Sequence, residues 1–169
     1  MMERMQTKTV TTMGLLTAVA LILGYVEHLI PISPIPGIKL GLGNIVLLYG
    51  LFLLTGGQTW MLLVLKVGLS GLLFGGVSAM AYSFAGGVLS LLGMQLAKGI
   101  RGISPIGVSV VGAVLHNIGQ ITLACLLVES RAVLSYLPIL LISGAVTGVL
   151  TGIAAKYTMA GLKGAGGRN

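Results

Sequence analysis

Three side chains that can form hydrogen bonds, His116, Asn117 and Gln120, lie together inside an otherwise apolar stretch of residues 106–128. On a helix, His116 and Gln120 are one turn apart and share a face, whereas Asn117 points about 100° away. Polar groups in such a stretch usually face an interior cavity, because burying them in hydrocarbon is costly. The cluster therefore predicts a wall that orients a ligand. The alternative is hydrogen bonding between neighbouring helices, worth about 0.6 kcal/mol per bond in membranes.

A second candidate is the glycine-rich segment of residues 36–44 (PGIKLGLGN). Its glycines allow close backbone approach, and Lys39 adds a cation beside the N–H groups expected at the start of a helix. Because that combination can hold an anion, Lys39, Gly41 and Asn44 are predicted to bind a polar or anionic group of a ligand. The alternative is a plain glycine-rich turn with a lysine that reaches to the membrane surface.

Lys66 lies inside a predicted apolar span, residues 59–75, and Ser70 follows one turn later on the same face. Lys66 is only about 10 Å from the start of this span, so its long side chain is able to reach the membrane surface. We expect instead that it faces inward, as a counter-charge or a conformational switch. Glu27 and His28 lie near the end of the first apolar stretch. They either line the entrance to the same ligand site or simply lie at the membrane–water interface.

The sequence disfavours several enzyme classes. It has no Asp and only three Glu, too few for the acidic clusters that hold magnesium diphosphates, and it lacks a G-x-x-x-x-G-K-[ST] phosphate loop. Two His and one Cys are too few for a convincing metal site, so neither a metal nor a cofactor is expected. The sequence GLSG at residues 68–71 matches the GxSG of rhomboid-type intramembrane serine proteases, with His116 as the base. Because four residues match easily by chance among 27 glycines, a protease is a remote alternative.

The elements that position these residues must be membrane-spanning helices. Hydrophobic residues make up 56% of the 169-residue chain and charged residues 8%, against about 25% charged residues in soluble domains. The apolar runs are continuous, without the alternation of barrel strands, so helices must satisfy the backbone in lipid. We predict one all-α membrane domain, a six-transmembrane-helix bundle, with spans at residues 10–30, 40–54, 59–75, 77–97, 106–128 and 133–156.

The distribution of Lys and Arg predicts the orientation of this bundle. With a cytoplasmic N-terminus, seven Lys and Arg lie in cytoplasmic segments, whereas Lys39 and Arg131 lie outside. Because positive residues are enriched on the cytoplasmic side, both termini are predicted to be cytoplasmic in a multi-pass protein of the cell membrane. The net charge of +7 is then flank charge in contact with lipid, and no nucleic-acid partner is expected.

Two pairs of small residues recur at helical spacing. Gly14 and Ala18 form one pair in the first span, and Gly144 and Gly148 form another in the sixth. Small residues four positions apart allow two helix backbones to approach closely. Each pair therefore predicts a close helix contact, either within the protein or with a partner, and spacing alone does not decide between these.

Four segments carry a resemblance to a known family: residues 36–45 (PGIKLGLGNI), 72–75 (LLFG), 83–87 (SFAGG) and 116–120 (HNIGQ). Together they resemble the small bacterial membrane proteins of the Gx transporter family, also filed as heptaprenyl diphosphate synthase component I. That family is similar to the S components of energy-coupling-factor (ECF) transporters. The resemblance implies six helices that bind a vitamin-like solute, and coupling to a transmembrane scaffold subunit and a pair of cytoplasmic ATPases.

The residues and the resemblance lead to one expected function and one alternative. The expected function is a substrate-binding membrane subunit for the uptake of a small organic solute, which is not itself an enzyme. Gly14 and Ala18 resemble the face by which S components dock on their scaffold. The alternative is a membrane accessory subunit linked to a polyprenyl (heptaprenyl) diphosphate synthase, which would explain the synthase name without the acidic clusters that prenyl transfer requires.

Overall fold

The computed structural model describes the backbone of residues 2–29 and 41–166, and these residues form helices and no strand. The predicted all-α fold is thus confirmed for the described part of the chain. Lys39 and the rest of the segment 30–40 lie outside the described residues. In chain order, the helices are α1 (Met2–Leu29), α2 (Asn44–Leu53), α3 (Gly56–Ser70), a π-helical turn (Gly71–Gly75), α4 (Gly76–Gly99), α5 (Pro105–Val128), a 3-10 turn (Arg131–Tyr136) and α6 (Leu137–Gly166).

Four helical stretches are long and apolar enough to cross a membrane: Thr9–Leu29, Gly56–Gly99, Pro105–Val128 and Arg131–Gly161. The chain is therefore a multi-pass membrane protein. The predicted six spans are met only in part, because α2 has 10 residues and is about 15 Å long, half the ~30 Å of the hydrocarbon core. The cytoplasmic orientation of the termini stays a prediction.

The stretch Gly56–Gly99 has 44 residues, and its two halves fold back on each other. Gly76 has a φ of +72°, a conformation that glycine adopts without steric cost. Leu63 precedes Gly76 in the chain and Gly87 follows it, yet the two are in contact, since a Cβ at Gly87 would lie 2.4 Å from a methyl carbon of Leu63. In a straight helix these positions, 24 residues apart, would be separated by about 36 Å. α3 and α4 are therefore antiparallel neighbours, and the reversal coincides with the boundary expected near Gly75 and Gly76.

Local sequence explains where α3 and α5 begin. The hydroxyl of Thr55 accepts from the backbone N–H of Gln58, and the Gln58 side chain accepts from the N–H of Thr55, which is a complete capping box. Ser104 caps α5 through the N–H of Gly107, with Pro105 in the first helical position, where its missing N–H costs nothing. These caps fix the ends of the helices that carry Lys66 and His116.

The bundle has an apolar core of leucine side chains, and much of its outer surface is apolar as well. Leu47 and Leu48 of α2 pack with Leu62 and Leu63 of α3 and Leu91 of α4, all fully buried. The exposed surface also carries large apolar side chains, among them Leu72, Val77, Leu96, Leu126 and Tyr157. In water such a surface would associate, whereas in lipid it is the expected outer face of a membrane-spanning bundle.

α4, α5 and α6 pack with unusually close backbones. A Cβ at Gly119 of α5 would lie 2.7 Å from the carbonyl oxygen of Ala85 and 2.8 Å from the Cα of Gly86. A side chain at this position would therefore have to displace backbone rather than a flexible neighbour. This contact places His116 and Gln120, which are on the same segment of α5, directly against α4.

The two pairs of small residues have different surroundings. Gly144 and Gly148 of α6 face α5, where added Cβ atoms would lie 2.5 Å from Nδ2 of Asn117 and 2.7 Å from the Cα of Val110. Gly14 and Ala18 of α1 are exposed, and no described atom lies within 4 Å of a Cβ built at Gly14. The α6 pair is thus an internal contact, whereas the α1 pair is open to lipid or a partner.

Candidate functional site

A polar cluster lies in the middle of the bundle, where α1, α3, α4 and α5 meet the turn before α2. It encloses a small cavity of about 20 Å³, lined by Ala20, Gly24, Glu27, Gly41, Lys66, Ser70, Ser83 and His116. That volume is enough for about one water molecule. Ionisable groups in the interior of a membrane protein usually mark a functional site. The structure therefore brings Gly41, Lys66 and His116, three of the predicted site residues, around one small cavity.

The start of α2 binds a carboxylate that belongs to the protein itself. Gly41 has a φ of +84°, and its carbonyl accepts from the N–H of Asn44 at 2.8 Å, which closes the turn. The backbone N–H groups of Gly41 and Leu42 both donate to Oε1 of Glu27, the second at 3.0 Å. The backbone N–H groups at this helix start are therefore bonded to the side chain of Glu27, and binding of a ligand by Lys39, Gly41 and Asn44 stays a prediction.

Lys66 points into the bundle and not toward the membrane surface. It is 8% exposed, and its Nζ donates to Oδ1 of Asn44 at 2.9 Å. The absence of a side chain at Gly43 makes room for it, since a Cβ there would lie 2.8 Å from Cε of Lys66. This geometry agrees with the inward-facing role expected for Lys66 and joins α3 to the start of α2.

Asn44 has a further hydrogen-bonding group beside the cavity. The residue is 6% exposed, and its buried Nδ2 has no hydrogen-bond partner among the described residues. A Cβ at Gly41 would lie 2.9 Å from this nitrogen, so Nδ2 is in contact with a residue that lines the cavity. A buried donor without a partner costs about 1–3 kcal/mol, and a ligand able to accept its hydrogen bond would recover that energy.

His116 and Gln120 lie side by side on α5, as their spacing predicted. His116 is 3% exposed and Gln120 fully buried, and both contact α4 at Gly86. The imidazole of His116 also contacts Gly41, since a Cβ there would lie 2.9 Å from its Cδ2. His116 therefore lines the cavity, whereas Gln120 packs one turn further along against α4.

Asn117 faces a different neighbour. Its Nδ2 donates to the backbone carbonyl of Leu140 in α6, and the residue is fully buried. This contact supports the alternative set out from the sequence, hydrogen bonding between helices, because the amide is used to join α5 to α6. Asn117 lies on a different face of α5 from the α4 contact, consistent with its offset of about 100° from His116.

The remaining candidates are placed as follows. His28 is exposed and does not line the cavity, whereas Ser70 does. The hydroxyl of Ser70 donates to the carbonyl of Val67 at 3.3 Å. A serine nucleophile requires a base within hydrogen-bond reach, so this contact gives no support to the protease alternative. Ser83 of α4 also lines the cavity; it lies in the segment 83–87 that carries the family resemblance but was not predicted as a site residue.

A larger apolar groove runs along a different face of α1. Its volume is about 750 Å³, and its walls are formed by α1, α2, the turn that follows α2 and α6, with Leu15, Leu16, Val19, Leu23 and Tyr49 among its lining residues. Thr9, Thr12, Gln58 and Thr158 supply hydroxyl and amide groups to the same groove. The groove and the polar cluster share no lining residue, so they are separate features of the fold.

Comparison with known proteins identifies one family. Neither a curated protein nor a solved structure shows significant similarity to the chain. The family model described as heptaprenyl diphosphate synthase component I matches residues 16–158. This match runs from the middle of α1 to the last third of α6 and includes every described residue of the polar cluster. The chain therefore belongs to the heptaprenyl diphosphate synthase component I family.

Proposed function

We propose that the protein is a membrane subunit that binds a small polar solute at the polar cluster and works together with a partner protein. The observation that carries this proposal is the burial of Glu27, Lys66 and His116 around one cavity inside a membrane-spanning bundle, with Asn44 buried beside them. Charged groups are rare within membrane proteins and usually line a substrate or ion pathway. If the bundle had only a structural role, apolar side chains at these positions would stabilise it equally well.

Ligand binding at this position requires the site to open. The cavity of about 20 Å³ holds one water molecule, so a solute enters only when the turn at Gly41 and the contact between Lys66 and Asn44 separate. The ammonium of Lys66 would then pair with a polar or anionic group, and His116 would orient the ligand by hydrogen bonding. Gln120 would support the orientation of His116 from the same face of α5, and Lys39 and Gly41 complete the proposed site.

The geometry favours a transport role for this subunit. A buried polar site that must open and close suits an uptake system of the ECF type, in which ATPases on a partner supply the energy. Gly14 and Ala18 are exposed on α1 and would form the face that docks on a transmembrane scaffold subunit, because small residues allow close helix contact. In this version the protein is not an enzyme.

The family description favours a second candidate for the partner. It names a component of heptaprenyl diphosphate synthase, which indicates a soluble or membrane-bound synthase as the protein that this chain assists. The chain would then be a non-catalytic accessory subunit, and the apolar groove beside α1 would be the natural surface for a long hydrocarbon chain. The comparisons support this candidate more directly than the transporter, whereas the buried polar cluster supports the transporter.

One purification separates the two candidates. The tagged protein is extracted from its native membrane in a mild detergent, and the co-purifying proteins and small molecules are identified by mass spectrometry. ATPase and scaffold subunits together with a polar solute would support uptake, and a polyprenyl diphosphate synthase would support the accessory role. Wild-type protein that co-purifies with neither a partner nor a solute would contradict the proposal. Gly14→Leu serves as the matched control, since it should lose the partner and keep the fold.

A further inference from the structure

The hydrogen bonds at the start of α2 have the geometry of a carboxylate-binding site. Two successive backbone N–H groups, those of Gly41 and Leu42, converge on one carboxylate oxygen of Glu27. Glu27 is 6% exposed, so this interaction is shielded from water. Exposed N–H groups at the beginning of a helix are a general binding site for anions, and here the anion is supplied from α1.

Two further hydrogen-bond donors lie beside the turn that binds Glu27, and one of them has no partner among the described residues. Nδ2 of Asn44 is buried beside Gly41 and has no hydrogen-bond partner among the described residues. The ammonium of Lys66 is held 2.9 Å from Oδ1 of the same asparagine. Both groups face toward the turn that binds Glu27, and both would stabilise a second carboxylate oxygen. This arrangement is complementary to a negatively charged group with two oxygens.

We infer that the turn before α2 is an exchangeable carboxylate site, which Glu27 occupies in the closed state and which the carboxylate of a ligand occupies in the bound state. This inference rests on the proposed function and deepens it by naming the ligand class, a small solute that carries a carboxylate. Glu27 acts as an internal competitor. When the ligand displaces it, the contact between α1 and the start of α2 breaks, so binding at the turn changes how these two helices meet.

The test uses acetate and formate as probes and the purified full-length protein in detergent. Thermal unfolding is measured with increasing sodium acetate or formate, against sodium chloride at the same ionic strength. A ligand that binds the folded state raises the unfolding temperature in a saturable manner. Glu27→Ala removes the internal carboxylate and should show the largest increase in unfolding temperature. Glu27→Gln should show a smaller increase, because its amide still competes for the turn, although more weakly than the carboxylate. Wild type should show the smallest increase.

Glu129→Gln is the matched control, because it makes the same chemical change at a carboxylate outside the cluster and should behave like wild type. If Glu27→Ala does not fold, the comparison of Glu27→Gln with Glu129→Gln still decides the question. Equal acetate responses in these two variants would overturn the inference. A co-purified solute without a carboxylate would also overturn it while leaving the proposed function in place.

Discussion

Replacing the buried cation by an apolar residue of similar length, Lys66→Met, should lower the free energy of unfolding by about 3–5 kcal/mol, the cost typical of removing one member of a buried charged pair. Lys66 and Glu27 line the same cavity, which holds about one water molecule. Two opposite charges that line such a cavity attract by a few kcal/mol, since unit charges about 4 Å apart attract by about 4 kcal/mol at an effective dielectric constant of about 20. Lys66→Met also removes the hydrogen bond to Asn44.

A double-mutant cycle tests whether the two charges compensate each other. Glu27→Gln combined with Lys66→Met should cost less than the sum of the single changes, with a coupling energy of up to about 3 kcal/mol. The control cycle pairs Lys66→Met with Glu129→Gln, whose effects should add. Denaturant unfolding in detergent micelles, followed by circular dichroism, provides the free energies. Additive costs in the first cycle would refute the view that Glu27 and Lys66 form one electrostatic unit.

Three further predictions follow from individual contacts. His116→Ala should weaken retention of a bound solute at least tenfold with the fold intact. Asn117→Ala should lower the free energy of unfolding by about 0.6 kcal/mol and leave solute retention unchanged. Equal effects of the two variants on retention would contradict their separate roles. Gly119→Ala should cost about 1–3 kcal/mol by overpacking α4 and α5, and Gly68→Ala, with open space around it, should cost nothing in the same thermal assay. Gly14→Leu should abolish co-purification of the partner without changing the unfolding temperature, and an unchanged yield of partner would exclude this face.

Much of the fold follows from hydropathy and from the residues that interrupt it. Continuous apolar runs predicted helices, and the capping residues Thr55 and Ser104 lie where α3 and α5 begin. The reversal at Gly76, where the backbone has a positive φ, lies at the predicted boundary between the spans 59–75 and 77–97. The end of α2 at Leu53 agrees with the predicted span 40–54 to within one residue, whereas the helix begins later, at Asn44, because Gly41 with its positive φ forms a turn before it.

The site was predictable where helical periodicity alone decides which residues meet. His116 and Gln120 share a face of α5, and the structure places both against α4. Asn117 was grouped with them because it is polar, although its direction on the helix already separated it, and its amide bonds to Leu140 of α6. The face of the helix on which a residue lies therefore predicts its contacts better than its nearness in sequence to other polar residues.

The role of Glu27 could not be read from the sequence, because it depends on how α1 and α2 approach each other in space. The glycine-rich segment predicted an anion site at the start of α2, and Lys39 was the neighbouring cation. The anion proved to be a carboxylate 14 residues earlier in the chain. An acidic residue near the end of an apolar helix was the only available signal, and interfacial glutamates give the same signal.

The most direct test of the central claim is native mass spectrometry of the purified protein with and without Lys66→Met. We predict that wild type retains one small polar molecule per chain, and that Lys66→Met loses it while remaining helical by circular dichroism. Equal occupancy of the same molecule in both proteins would show that the polar cluster is not the binding site.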